Sequence, residues 1–430
     1  MVRYVGLDVH KREVEVCILD RKGNQVLSRR IACTRESLTA FAQESLNRQD
    51  RVALEASTNT WAVVAVLRPY VREMVVSNPM KTKAIAEAKT KTDKVDAKVL
   101  AQLLRCDFLP GVWQPDEKTQ ELRRLTTHRA SLITERARIK NRIRSLLAYR
   151  LIEPPRNFIW SKKGLAWLQG LDLPEHEAII LRTDLDLLQH VEKQLVTMDR
   201  QLAQMAYQED RVRLLMTLPG LDYTVAQGLL AALGDISRFA DGDHAAAYLG
   251  LAPSTHQSGD HCYHGSITKS GRSHARWLLT QAAQRLDRHP GPLGVFLRRL
   301  CRKKNRNVAV VATARKLVTV AVLMLKNNEP YRYAMPELVK TKLGRVRFRA
   351  TGVRQIPPKK DSQGRANNAR GPGLGEVYQR EGLPPVKTIE ELPPGEQQML
   401  RSRRVITFAR EIQRGAPKKS VPMKNKQGAK

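Results

Sequence analysis

The N-terminal part of the chain alternates short apolar runs with polar breaks, a pattern typical of strands in an open α/β sheet. Residues 1–19 contain two runs of alternating and β-branched residues, which predict a pair of adjacent strands. Two further short strands are predicted at Arg51–Leu54 and Glu73–Val76. In Thr90–Leu104 apolar residues recur every three or four positions and predict a helix anchored to a core. Residues 1–115 are therefore predicted to form an α/β domain.

Beyond this domain the apolar residues follow a helical period over long stretches. Glu117–Leu151 carries them among many arginines, which predicts a long amphipathic helix with one basic face. A second helix is predicted to begin at Glu177 or Asp184 and to end near Met205. Together they predict a helical hairpin or coiled coil over residues 116–210, whose apolar stripes are buried either within one chain or in a dimer.

The charge balance narrows the choice of partner. The chain has 75 Lys and Arg against 42 Asp and Glu, a net charge of +33 and a pI near 10.3. Such a charge implies nucleic acid or an acidic membrane surface. The membrane is disfavoured, because no apolar leader follows Met1 and because Arg315 and Lys316 interrupt Val308–Leu325, which predicts a buried helix. Arginines on the basic face of the first long helix, Arg138 and Arg142, are therefore candidate phosphate contacts.

Four carboxylates mark candidate chemistry in the α/β domain. Asp8 falls inside a predicted strand, where a charge is costly without a partner such as a cation. Glu55 ends another strand, at the edge where open α/β sheets place their sites. Asp93 and Asp96 lie three residues apart on one helical face; alternatively Asp93 caps the helix and Asp96 favours its dipole. The set predicts one or two hard cations such as Mg2+, although each acid alone is equally well explained by an ion pair with a lysine.

The order of several motifs resembles the DEDD transposases of bacterial insertion sequences over about residues 1–333. That resemblance implies an RNase H-like, Holliday-junction-resolvase-like N-terminal domain, a helical linker and a mainly α-helical C-terminal transposase domain over residues 211–333. The motifs are Gly6-Leu7-Asp8-Val9, Leu54-Glu55-Ala56-Ser57, Asn78-Pro79, Lys91–Ala97, Leu218-Pro219-Gly220-Leu221, Phe239, Tyr248–Pro253, Gln257-Ser258-Gly259 and Ile267–Gly271.

The resemblance also implies a mechanism. Ser258 aligns with the nucleophilic serine of the family, which attacks a DNA phosphate and forms a 5′-phosphoserine intermediate. The four acids then hold Mg2+ or Mn2+, and the acids and the serine come from different protomers. The implied partners are donor and target DNA, a noncoding bridge RNA and further copies of the chain, as a dimer and as a tetramer in synapsis. Five scattered cysteines fit reduced thiols in a bacterial cytoplasm, with action at the nucleoid.

Other residues in the C-terminal domain are candidate nucleic-acid contacts. The turn at Gly220 resembles a helix-hairpin-helix, whose backbone amides hold a DNA phosphate, although such a turn between helices is often only a turn. Lys269, Arg272 and Arg276 follow Ser258 at helical spacing and are predicted to clamp phosphates.

Four residues around Ser258 have the side chains of zinc ligands, but their spacing is too tight for a known zinc arrangement. Solvated loop histidines, or one histidine that shuttles a proton for Ser258, explain them better. These residues are His256, His261, Cys262 and His264.

The remaining residues, 334–430, are predicted to be a basic and partly disordered extension that binds RNA or DNA by charge, or a tail without specific function. Within it, the alternation in Thr341–Arg354 predicts a short strand or an arm.

Two other functions fit parts of the pattern. A Holliday-junction resolvase would use the four acids and water, without a covalent protein–DNA adduct. A non-catalytic scaffold would keep the basic helices and tolerate Asp8→Ala and Asp96→Ala.

Overall fold

The computed structural model describes residues 1–85, 92–155, 159–354 and 371–415. Within these residues the chain divides into two compact units, Met1–Asp116 and a second that begins at Glu117. Each unit is described by itself. The further division of the second unit into linker, transposase domain and extension stays a prediction. The start of the predicted helix at Thr90, Lys91 of the resembling motif, and part of the predicted disordered extension lie outside the described residues.

The first unit is built on a five-stranded sheet in the order β3-β2-β1-β4-β5. β1 pairs antiparallel with β2 and parallel with β4, while β2–β3 is antiparallel and β4–β5 is parallel. This mixed sheet is compatible with the predicted RNase H-like domain. The elements are β1 Tyr4–Val9, β2 Glu13–Leu19, β3 Gln25–Ala32, α1 Arg35–Ser45, β4 Arg51–Glu55, α2 Thr60–Leu67, β5 Glu73–Ser77, α3 Pro79–Ile85 and α4 Asp93–Arg105.

Helices cover both faces of this sheet. Val5 and Leu7 of β1 point to the face covered by α1 and α2, where they are fully buried. Alternate residues of the same strand point to the opposite face, which α4 covers. There Gly6 lets the helix approach closely, since a Cβ atom on Gly6 would lie 1.9 Å from the carbonyl oxygen of Ala97. The sheet face that carries Gly6 is therefore the face on which α4 sits.

In its described residues the second unit is helical except for one β-hairpin, β6–β7. Its elements are α5 Glu117–Tyr149, α6 Lys162–Gln169, α7 Glu175–Gln208, α8 Asp210–Leu215, α9 Tyr223–Leu233, α10 Gly242–Tyr248, β6 Pro253–Ser258, β7 His261–Ile267, α11 Ser273–Gln284, α12 Pro292–Cys301, α13 Arg306–Asn327, α14 Pro336–Thr351, α15 Leu374–Arg380, α16 Pro394–Ser402 and α17 Ile406–Arg414.

The predicted helical hairpin is confirmed, because α5 and α7 pack side by side in opposite directions. Their contact surface is apolar, with residues such as Ile143 and Leu188 fully buried between them. Ion pairs run across it, including Arg142 to Asp184, with Nε 3.0 Å from Oδ1. A supercoil of the coiled-coil type stays a prediction.

The helix α13 was predicted as a buried helix, and its apolar side lies in the core of the second unit. Among the described residues it is the one helix long and apolar enough to cross a membrane, and half of its most apolar window is buried inside the protein. Burial of this kind is typical of the core helix of a globular unit.

The residues after 333 differ from the prediction. Helix α14 replaces the strand or arm predicted over Thr341–Arg354, because Val339, Leu343 and Val346 recur at helical spacing and are buried together. The alternating apolar residue Phe348, which favoured a strand, is 44% exposed. Helices α15, α16 and α17 bury side chains in the same core as the transposase-like motifs. The described part of the extension is therefore integral to the second unit.

Lys342 of α14 shows how closely this part is integrated. Its buried ammonium group donates hydrogen bonds to the carbonyl oxygens of Met216, Leu218 and Leu221, the last two at 3.1 and 2.9 Å. Burial lowers the pKa of Lys342 to about 8. The Leu218–Leu221 turn is thus held by a side chain that lies beyond the residues carrying the family resemblance.

His289 predicts a pH-dependent stability of the second unit. The ring is 7% exposed, and its Nδ1 accepts a hydrogen bond from the Gly291 N–H at 3.1 Å. Burial above all, then Lys342 and Arg298, lowers the pKa of His289 from 6.5 to about 4. Between pH 4 and 6.5 the unfolded chain therefore binds more protons than the folded protein. The free energy of unfolding falls as the pH falls from 6.5 to 4, and the loss is about 2 kcal/mol at pH 4.5.

Urea unfolding at pH 7.5 and 4.5 checks this expectation with His289→Asn, whose amide oxygen keeps an acceptor near the Gly291 N–H but does not titrate. The variant is expected to lose less stability on acidification than the wild type does. His190→Asn, at an exposed position of α7, is the matched control. An equal acid loss in His289→Asn and wild type would contradict the assignment.

Candidate active site

Two of the predicted acids lie side by side at one edge of the sheet in the first unit. Leu7 of β1 pairs with Leu54 of the parallel strand β4, so Asp8 and Glu55 occupy the next positions on neighbouring strands. They share the sheet face of Gly6, because side chains alternate along a strand. Helix α4 lies on that face, and its first turn contains the other two predicted acids, Asp93 and Asp96.

The structure brings Asp8 and Asp93 together around His10. The His10 Nε2 atom lies 3.1 Å from Asp8 Oδ2 and 3.4 Å from Asp93 Oδ1. One ligand atom from each of these three residues falls within 4.8 Å of the others, which is close enough to hold one metal ion. The predicted association of strand and helix acids is thus found for Asp8 and Asp93, and Asp96 acts on Asp8 through its charge.

The electrostatics of Asp8 fit a site for a cation. Burial raises the pKa of Asp8 most strongly, and the charges of Asp93 and Asp96 raise it further. The nearby His10 opposes this rise. A carboxylate whose pKa is raised by neighbouring negative charges is stabilised in its charged form when a cation binds beside it, and oxygen donors are the ligands that hard divalent cations prefer.

The start of α4 explains why Asp93 faces the site. The helix is capped by Thr92, whose side-chain oxygen accepts a hydrogen bond from the Val95 N–H at 3.4 Å. The alternative in which Asp93 is the N-cap is therefore wrong. Asp93 occupies the first helical position, and its carboxylate contacts His10 and Arg30, with Arg30 Nη2 3.5 Å from Oδ2.

Three residues near these acids were missed by the sequence analysis: His10, Glu15 and Arg30. Glu15 of β2 lies directly opposite Asp8 and is 2% exposed. Arg30 of β3 donates through Nε to Glu15 Oε2 at 2.9 Å and reaches Asp93 with another nitrogen. Arg30 therefore links a buried carboxylate to the helix acid. The spacing of His10 two residues after Asp8 was the only signal available in the sequence, since the other two depend on strand register.

Ser258 lies at the tip of the β-hairpin in the second unit. It ends β6 and pairs with His261, the first residue of β7, across a two-residue turn in which Gly259 has φ +56°. Ser258 is exposed, as expected for a nucleophile that must reach a large substrate. The sequence predicted an accessible loop here, and the structure has two paired strands.

The base of this hairpin is formed by two of the resembling motifs. The Lys269 N–H donates to the Gly250 carbonyl at 3.2 Å, and the Thr268 N–H donates to the Ala252 carbonyl at 3.0 Å. Gly250 is needed at this crossing, because a Cβ atom there would lie 2.3 Å from the Ser270 carbonyl oxygen. The motifs thus form the platform from which Ser258 projects.

The strand register separates the four zinc-type side chains. His256 stacks on Tyr263 with ring centroids 5.0 Å apart, whereas His264 is hydrogen-bonded to Thr255 on the other face. Because cross-strand partners share a face, His256 and His261 lie on the same face of the hairpin as Ser258, and Cys262 and His264 lie on the opposite face. In the part of the chain that the structure describes, no metal-ligand group is found at this hairpin.

Comparison with known proteins identifies both units. Residues 5–149 match the DEDD transposase model of the IS110 type, and residues 212–294 match the model described as the transposase IS116/IS110/IS902 family. These stretches together span more than half of the chain. The chain belongs to this family of insertion-sequence transposases.

Relatives of this transposase carry consistent names. An uncharacterised protein of insertion element IS116 from Streptomyces clavuligerus is 25% identical, over 77% of this chain and 97% of the relative. The pilin gene-inverting protein of Moraxella bovis is 26% identical over 76% and 97%. The transposase of element IS1328 from Yersinia enterocolitica is 24% identical over 74% and 96%. The enzyme is thus a DNA transposase or recombinase, and its family implies use of a divalent metal.

Among the predicted phosphate contacts of the transposase, three arginines contact residues that are distant in the sequence. Arg276 donates to the carbonyls of Leu249 and Ser270 and so ties the hairpin platform together. Arg142 is held by Asp184 on α7, as described above. Arg272 reaches the Thr127 hydroxyl at 3.5 Å. These contacts give each arginine a role in packing, and their contacts with nucleic acid stay predictions.

The other three predicted contacts differ in exposure. Arg138 and Lys269 are exposed, and Lys269 has a left-handed backbone with φ +54°. Gly220 faces α11 instead, since a Cβ atom there would lie 2.5 Å from the Ala282 carbonyl oxygen. This close approach, with φ +85°, is a sufficient reason for glycine at the turn, and its phosphate contact also stays a prediction.

Proposed function

We propose that this transposase cleaves and rejoins DNA strands through a 5′-phosphoserine intermediate on Ser258. In this proposal Mg2+ is held by Asp8, Glu55, Asp93 and Asp96, and a noncoding bridge RNA guides the choice of DNA. The observation that supports it most directly is the approach of Asp8 and Asp93 around one point at the carboxyl ends of β1 and β4. Open α/β sheets place their sites at such an edge.

The acids fit a divalent cation because they offer oxygen donors from two strands and one helix. Such a cation, when bound, polarises the scissile phosphate and stabilises the attacking and leaving oxygens. Mn2+ is accepted by the same donors. His10 orients the carboxylates of Asp8 and Asp93 through its two contacts.

Ser258 supplies the nucleophile. Its Oγ forms a bond to phosphorus while the bond from phosphorus to the 3′ oxygen breaks, which leaves a free 3′ hydroxyl and the 5′ phosphate on the serine. The serine proton passes to a base, for which His261 and His256 are candidates on the same hairpin face. A 3′ hydroxyl of another strand then attacks the phosphoserine and releases the serine, so no outside energy is needed.

The partners follow from charge and family. A net charge of +33 supports binding to donor and target DNA and to RNA, whose duplexes are held by backbone contacts while base pairing reads the sequence. The proposal includes a homodimer, with acids and serine from different protomers, and a tetramer in synapsis. It places the protein in the bacterial cytoplasm.

A denaturing gel tests the chemistry. Protein is incubated with element-junction DNA, RNA transcribed from the element flank, and Mg2+. We expect a slowly migrating protein-linked DNA band that disappears when EDTA is added and when RNA is omitted. Cleavage without an adduct would instead favour a resolvase-type reaction with water, for which the acid site of the first unit is sufficient. Binding without any cleavage would contradict both.

A further inference from the structure

The second unit contains an arginine-lined groove that no function has been assigned to. It lies between the end of α12 and the end of α16 and encloses about 610 Å3. Five arginines line it together with Val295 and Ser402, and none of the described side chains that line it is acidic. We call this feature the arginine groove; its arginines are Arg298, Arg299, Arg302, Arg403 and Arg404.

Most of these arginines lack a protein partner that would neutralise them. Arg298 donates to the carbonyls of Asp287 and His289 and so belongs to the packing of that loop. Within the described ranges, the other four have no carboxylate at ion-pair distance. Arg299 and Arg403 come from different helices and repel each other: burial first, and then Arg299, lowers the pKa of Arg403. The two like charges therefore face the same space without a carboxylate beside them in the described residues.

Stabilisation of helix ends does not account for the set. Arg302 and Arg403 are the C-caps of α12 and α16, where a cation favours the helix dipole. One cation at each end achieves that effect, which is typically about 0.3–1 kcal/mol. Arg299 lies in the last turn of α12 and also favours its dipole, but three cations at this helix end exceed what the dipole requires, and Arg404 lies beyond the end of α16.

We propose that the arginine groove binds the phosphate backbone of a nucleic-acid strand. Guanidinium groups bind phosphate oxygens through paired hydrogen bonds. Carboxylate-rich ligands could bind the same arginines, but an open groove with several arginines suits a continuous polyanion. The exposed Lys303 and Lys304 continue the basic surface beyond Arg302. All of the lining residues lie beyond residue 294, where the second matched segment ends. The proposed phosphate contact is therefore additional to the two segments that match the family models.

The test measures binding in EDTA, so that it does not depend on the metal or on Ser258. Fluorescence anisotropy with the full chain uses a labelled 30-base-pair DNA duplex and an RNA duplex of the same sequence, over a range of salt concentrations. Arg299→Gln/Arg403→Gln is expected to weaken binding at least about tenfold at 0.15 M salt and to reduce the salt slope by about two. A larger loss on one duplex assigns the groove to that nucleic acid, and an equal loss assigns it to phosphate backbone in general.

Two further variants make the result decisive. Arg299→Lys/Arg403→Lys keeps both charges and is expected to retain the salt slope. Arg345→Gln/Arg380→Gln removes the same charge from exposed positions of α14 and α15 and is the matched control. A loss no larger than this control on both duplexes would overturn the proposal. If the first variant does not fold, Arg302→Gln/Arg404→Gln, at two exposed positions, gives the same comparison.

Discussion

Asp8→Asn is expected to lower strand cleavage by at least about a thousandfold while leaving DNA binding intact. Asparagine keeps the shape of the side chain but removes the charge of Asp8, whose side chain is 20% exposed against 45% for Asp93. The effect should be large because Asp8 faces Asp93 directly, and the loss of one charged ligand weakens the grip on a hard cation. Cleavage of labelled junction DNA at saturating Mg2+ measures it.

The matched control is Asp107→Asn. Asp107 lies in the same unit, and its side chain is 84% exposed and pairs with Arg51. Because Arg51 begins β4, Asp107 lies near the opposite end of the strands from Asp8 and Glu55. This control is expected to cleave at the wild-type rate. Mn2+ titration by electron paramagnetic resonance provides a second readout, in which only Asp8→Asn should bind metal more weakly. Full cleavage by Asp8→Asn would rule out the acid site.

The predicted acids could be recognised from the sequence because the ends of strands and the starts of helices leave local signals. Asp8 breaks an apolar strand, and Asp93 and Asp96 sit three apart before an apolar helical stripe. The proximity of Asp8 and Glu55 follows from a general rule, since the carboxyl ends of adjacent parallel strands meet at one edge of the sheet. Four of the five strands of the sheet follow the predicted apolar runs. The exception is β3, whose mixture of polar and apolar residues gave no clear strand signal.

The surroundings of the acids were not accessible in the same way. Arg30 reaches both Glu15 and Asp93 only because β3 pairs with β2 in one particular register, which places Arg30 opposite Glu15. Register is set by pairing across the chain and by turns, and a single sequence does not specify it. A buried glutamate beside the candidate metal site therefore becomes visible only in three dimensions.

The extension shows a different limit. A short window that contains Val346, Phe348 and Ala350 fits a strand, while a longer one that contains Val339, Leu343 and Val346 fits a helix. Tertiary packing decides between them, because Lys342 must turn inward to reach the carbonyls of the Leu218–Leu221 turn. A basic composition indicated a solvated tail, yet in α14 the ammonium group of Lys342 is enclosed by three carbonyl oxygens and three apolar side chains join the core.

Ser258→Ala is expected to lower the rate of protein–DNA adduct formation by at least about a thousandfold, while metal binding and DNA binding remain. The hydroxyl is exposed at the hairpin tip and makes no contribution to a core, so its removal should leave the melting temperature unchanged. Phosphoserine analysis of the adduct by peptide mapping identifies the attached residue directly.

Ser266→Ala is the matched control, because Ser266 is an exposed serine of the partner strand β7. It should form the adduct at the wild-type level. His261→Gln tests the proton acceptor: if His261 takes the serine proton, the adduct forms more slowly in this variant than in the wild type. An adduct that persists in Ser258→Ala would move the nucleophile elsewhere on the hairpin platform, whereas cleavage that persists without any adduct would assign the attack to water held at the acids of the first unit.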